Sequence, residues 1–151
     1  MRPTMRMTAA MCATAAILLL SGCVPIQVVE EQTIAQVASD LKLDDMGGAH
    51  CTTWHKPGFL DVGDVRSLRF LIDDAATYAE VNQRLEDLGF EDRGIGSTTA
   101  DYARNDIPAP GDYVAATVVK HPDSDAGEQM PWTEKSCTVA DAGSVEVEIY
   151  I

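Results

Sequence analysis

Apolar residues recur along this chain with two different periods, and the alternation between them outlines a folded domain. Ile34, Val37, Ala38 and Leu41 stand at i, i+3, i+4 and i+7, which predicts the buried face of a short helix. Thr33 and Gln36 have capping-box spacing, so the helix is expected to start there, with residues 24–32 as a tether. A stronger helical pattern follows. Tyr78, Val81, Leu85 and Leu88 line one side, while Glu80, Asn82, Gln83, Arg84, Glu86 and Asp87 are left to solvent. Thr77 and Glu80 form a second capping box. Gly89 falls where a left-handed C-terminal cap belongs, and Phe90 is placed to fold back on the last turn.

The remaining apolar runs have the period of strands. Residues 49–54 are rich in Thr, Cys and Trp, and residues 67–72 are nearly continuously apolar, as in a central strand. Residues 90–96, 100–104, 113–120, 133–140 and 144–151 complete the set, separated by turn signals such as Lys56-Pro57-Gly58 and Asp141-Ala142-Gly143. The second of these turns predicts a hairpin between the last two strands. In the final strand Val145, Val147, Ile149 and Ile151 point one way and Glu146, Glu148 and Tyr150 the other. A slip of one residue would expose four aliphatic side chains, so the register is fixed. The pattern predicts an α+β fold: an antiparallel sheet of about five or six strands with one or two helices on one face, forming a single domain over residues 33–151.

The first 23 residues follow different rules. Arg2 and Arg6 precede an apolar run from residue 8 to residue 20, which is shorter than the roughly 20 residues that span a bilayer. The run closes on Leu20-Ser21-Gly22-Cys23, which resembles the lipobox of bacterial lipoproteins. That resemblance ends at Cys23. It implies that residues 1–22 are a signal peptide removed behind Gly22, and that Cys23 carries a diacylglycerol, with palmitate-type acyl chains. Residues 23–32 would then be a lipidated tether, and the domain would sit on the extracytoplasmic face of the cell membrane. Val24, where an aspartate would favour the inner membrane, implies the outer membrane in a cell that has two.

Charge and cysteine content sharpen this picture. The chain carries 24 acidic and 11 basic residues, a net charge of −13. Removing Arg2 and Arg6 with the signal takes no acidic residue, so the processed chain stands at −15. Such a body is repelled by nucleic acid phosphates, which excludes nucleic acid as a partner, and by anionic headgroups. The domain is therefore expected to stand off the membrane, held by its anchor alone. Of four cysteines, Cys12 leaves with the signal and Cys23 takes the lipid. The remaining even pair, Cys51 and Cys137, reads as a disulfide in an exported protein.

Candidate chemistry is sparse. Trp54, His55 and Phe59 flank a turn, and Trp132 lies in a second polar stretch. Together they are a possible binding patch, although such residues more often roof a small core. If Cys51 and Cys137 bridge adjacent antiparallel strands, the odd offsets of Trp54 and Trp132 put both indoles on the face opposite the disulfide. His50, His55 and His121 lack the spacing of a helical metal site, and a set of His50, His55 and a cysteine competes with the disulfide. Asp123 and Glu134 have the separation of a calcium loop, but Glu128 stands where that loop requires glycine. No catalytic residue, metal or cofactor is assigned. The expected function is that of a non-enzymatic lipoprotein that binds or supports another envelope component, with an envelope protein as the candidate partner. A small surface hydrolase or metal-dependent enzyme is the alternative.

Overall fold

Six strands form one antiparallel sheet in the order β1-β2-β6-β5-β4-β3. They are β1 (Cys51–His55), β2 (Ser67–Ile72), β3 (Glu91–Ile95), β4 (Thr99–Arg104), β5 (Val114–His121) and β6 (Ser144–Tyr150). This computed structural model describes residues 26–46, 51–57, 65–107, 113–132 and 137–151. Two helices, α1 (Ile26–Leu41) and α2 (Tyr78–Asp87), pack on one face of the sheet, so the class is α+β. Between them and the sheet lies the main core, with Ile34, Leu41, Val81 and Leu85 facing Phe70, Ile72, Val118, Val145, Val147 and Ile149.

The clean alternation of the last strand is realised. Val145, Val147 and Ile149 are fully buried against the helices, and Ile151 packs at the margin of the same cluster. What pattern alone could not place is the strand's neighbours. β6 pairs with β2 on one side, Ser67 opposite Tyr150, and with β5 on the other, Ala115 opposite Tyr150. Both of its edges are therefore taken, and the hairpin expected with residues 133–140 does not form. The described part of that segment makes one isolated bridge, Gln129 to Thr138, and Gly143 turns the chain into β6 instead.

Helix α2 starts at Tyr78, directly after Thr77 as its capping box suggests, but Thr77 makes no side-chain capping bond; α1 begins earlier than its box. A 3-10 turn, Ala75–Thr77, leads into α2, and Asp74 caps that turn, its carboxylate accepting from Ala76 N at 2.8 Å. Thr77 is itself helical and donates back to Asp74 O at 2.7 Å. At the other end the expected motif is complete. Gly89 has φ +83°, its N–H donates to Glu86 O, and Phe90 N–H donates to Leu85 O. α1 starts at Ile26, so residues 26–32 are helical where a tether was expected. Thr33 sits inside the helix and donates to Val29 O at 2.8 Å.

The two sheet edges differ in chemistry. β3 is exposed throughout, carries Glu91, Asp92 and Arg93, and has a bulge between Asp92 and Gly94. Charge and irregularity of this kind discourage pairing with another chain.

Candidate functional site

The sequence-level site residues are divided by the sheet. Trp54 faces the helix side, where it packs on the main core, while Trp132 packs on the opposite side. There Trp132 covers a smaller cluster of Cys51, Leu71, Met130, Cys137 and Val139. The expectation that both tryptophans lie opposite the disulfide therefore holds for Trp54 and fails for Trp132. Its premise was that Cys137 lies in a strand paired with β1, but β1 pairs with β2, and Trp132 sits in a turn where face alternation has no meaning. The two indoles do not share a patch. His55 is an exposed residue at the end of β1. Phe59, Cys23, His50, Glu134 and the expected signal segment lie outside the described residues.

Cys51 and Cys137 are joined, with 6.0 Å between their Cα atoms. The bond ties the edge strand β1 to the segment that crosses the far face of the sheet. Around it the polar groups pair with one another. Arg69 on β2 bonds Glu148 on β6 at 2.8 Å and lies over the Trp132 ring, 5.9 Å from its centre. Thr117 donates to Asp101 at 2.8 Å across β5 and β4, and His121 meets Glu146 at 3.2 Å. Arg69 Nε and Trp132 Nε1 are buried without an acceptor, so packing and the cation–π contact hold this indole. These pairs lock neighbouring strands together, and among the described residues no group of histidines, cysteines and carboxylates is arranged to hold a metal.

On the helix side two grooves flank α1. One, of about 410 Å³, runs between α1 and the β4 end of the sheet. Val29, Val37, Leu88, Phe90 and Ile107 supply its apolar wall, and Gln32, Gln36, Asp40 and Arg104 supply polar groups. Asp106 grips Arg104 through both carboxylate oxygens, with Nη2 to Oδ2 at 2.9 Å, so the guanidinium is fixed at the rim. That pairing also holds the Asp106 carboxyl below its usual range. The second groove, about 430 Å³, lies between α1 and β1, with Trp54, Leu68 and Phe70 as its apolar part. Either groove would accept an apolar group with its polar atoms turned to the rim. Tyr102 is not a candidate for chemistry. Burial pushes its phenol up to about 12, so it stays neutral inside the core.

A third feature was invisible to pattern analysis. Arg66, almost wholly buried just before β2, reaches both Glu30 at 3.3 Å and Glu31 at 2.6 Å on the first turns of α1. Lys56 adds a bond to Glu31 at 2.9 Å and lies over the Trp54 ring, 5.3 Å from its centre. This clasp binds the early half of α1 to the strands, which explains why residues 26–32 are helical and not a tether. The bond from Lys56 is the main reason the Glu31 carboxyl titrates below its ordinary value of 4.5; the charges of Lys56 and Arg66 add to it. A carboxyl with a depressed folded pKa contributes stability that is present above its unfolded pKa and disappears as pH falls through the folded one. Acidification below pH 4.5 should therefore loosen the first two turns of α1 before the rest. In an NMR titration, the Cα shifts of residues 26–32 should lose helical values ahead of residues 34–41. Arg66→Gln should reproduce that loss at neutral pH, and unchanged shifts in both experiments would refute the clasp.

Compared with family models, curated proteins and solved structures, the chain matches none of them.

Proposed function

We propose that this chain is a lipid-anchored protein of the extracytoplasmic membrane face, which binds or supports another component of the cell envelope. The Leu20-Ser21-Gly22-Cys23 motif, directly ahead of a folded domain, carries this reading. Helix α1 begins at Ile26, three residues after Cys23, so a lipid on that cysteine would fix the domain immediately at the membrane surface. The Cys51–Cys137 bond fits an oxidising compartment. Among the described residues no helix is long and apolar enough to cross a membrane, so the lipid is the attachment the proposal requires. Two acyl chains anchor stably where a single one binds only marginally. The groove between α1 and β4 supplies an apolar-walled surface for the bound component, and its first residue, Val29, is one helical turn from the start of α1.

The test is Cys23→Ala. The variant should leave the membrane fraction or accumulate with its signal attached, and labelled palmitate should no longer enter the protein. Label entering the variant at the wild-type level would overturn the proposal.

A further inference from the structure

Five large apolar side chains stand markedly exposed among the described residues, and three of them gather at one end. Ile26 is 61% exposed, Val28 39% and Val65 43%. The other two, Ile95 and Tyr113, lie on separate parts of the chain. Ile26 is one turn before Glu30 on α1, and Val28 is three residues before Glu31, spacings that put each pair on a common side of the helix. Val65 adjoins Arg66, which bonds both of those glutamates. The clasp therefore brings the start of α1 and the approach to β2 together, and the three aliphatic side chains surround it.

The clasp is also balanced in charge. The whole chain carries −13, yet at the clasp Glu30 and Glu31 face Arg66 and Lys56, two charges of each sign. Repulsion from anionic headgroups acts on exposed net charge within about a Debye length, roughly 8–10 Å. The four charges of the clasp cancel one another, so the clasp adds nothing to that repulsion beside the three exposed aliphatic side chains. Distance completes the case. Three residues span at most about 11 Å even when fully extended, so a lipid on Cys23 leaves Ile26 within reach of the headgroup layer, which is roughly 5–8 Å deep on each side.

We infer that this end of the domain, with Ile26, Val28 and Val65, rests in the interfacial layer of the phospholipid bilayer that holds the anchor. The inference rests on lipidation at Cys23 and gives the anchored domain a fixed orientation. It replaces the expectation, drawn from total charge, that the body stands away from the lipid.

The experiment uses the full-length lipidated protein, reconstituted in vesicles of phosphatidylcholine and phosphatidylglycerol. Single variants Ile26→Cys, Val28→Cys, Val65→Cys and Ile95→Cys are labelled with the fluorophore NBD, and quenching is measured with lipids bearing a shallow doxyl group. Labels at positions 26, 28 and 65 should emit further to the blue and be quenched at least about twofold more than the label at position 95, as expected for groups buried in the interface. Equal quenching at all four positions in protein that Cys23 still anchors would overturn the orientation alone. Blue-shifted labels that lipid does not quench would mean a protein covers the patch, and would also overturn it. Cys23→Ala protein that stays in the vesicle fraction would bring down the anchor, and the orientation with it.

Discussion

Reduction of the Cys51–Cys137 bond should lower the stability of the domain by about 4–5 kcal/mol. The bond closes a loop across a separation of 86 residues, and the chain-entropy model gives about that value for a loop of this size. Domains of this kind are stable by about 5–15 kcal/mol in total, so the loss is a large fraction of the whole. Its effect should also be uneven. The bond pins the far-face segment of Met130, Trp132, Cys137 and Val139 to β1, while the helices and the rest of the sheet share a separate core. Under reducing conditions Trp132 should therefore report exposure, by a red shift of its emission, at lower denaturant than the loss of far-UV circular dichroism. A Trp54→Phe background isolates that signal. Cys51→Ala with Cys137→Ala should behave as the reduced protein does. A midpoint unchanged by reductant would refute the assignment of stability to this bond.

Gly143→Ala should cost about 3 kcal/mol or more, the largest loss among the glycines of the described chain. Gly143 has φ +75°, where a side chain costs roughly 1–2 kcal/mol. An added Cβ would also stand 2.5 Å from His121 O, 2.8 Å from the Ala75 Cβ and 3.1 Å from Asp123 N. Two of those three neighbours are backbone atoms, so relief requires moving the end of β5, and overpacking of this kind adds about 1–3 kcal/mol. Gly127 is the natural control. Its φ is +81°, and a Cβ there meets nothing within 4 Å. Gly127→Ala should show the backbone term alone, about 1–2 kcal/mol. The difference between the two variants in thermal or denaturant unfolding measures the crowding at the turn into β6. Equal losses would show that the turn relaxes and that the close approach is not a constraint.

Local periodicity in the sequence carried most of the elements. The Tyr78–Leu88 stripe, the Gly89 cap and the alternation from Val145 to Ile151 depend on residues within a few positions of each other, and all three are found as expected. The failures share one physical cause, which is contact between residues distant in sequence. Nothing near Glu30 signals that Arg66 will hold it, so the helical start of α1 reads as a tether. Nothing in residues 133–151 shows that β2 and β5 will occupy both edges of β6, so a local hairpin looks sufficient. The disulfide was legible because cysteine count is a global property, but its placement was not. Strand alternation was extended to Trp132, which lies in a turn. The α1–β4 groove had a partial trace in sequence. Val29, Thr33, Gln36 and Asp40 form a second stripe beside the buried one, from which Val37 also lines the groove, legible only once α1 is known to begin before Thr33.

The place of β6 in the sheet also sets when the protein can fold. Its partners on one side are separated from it by most of the domain, as the pairing of Ser67 with Tyr150 shows, and it joins the β1–β2 pair to the β5-β4-β3 block. Until residues 144–150 are available those two parts have no shared strand, and each would leave a strand edge without its partner. A chain that emerges N-terminus first can form α2 and the β3-β4-β5 meander early, but the complete sheet must wait for its central strand. If the chain is exported as proposed, this order is protective. The sheet cannot close until β6 has been delivered, whichever side of a membrane the domain folds on.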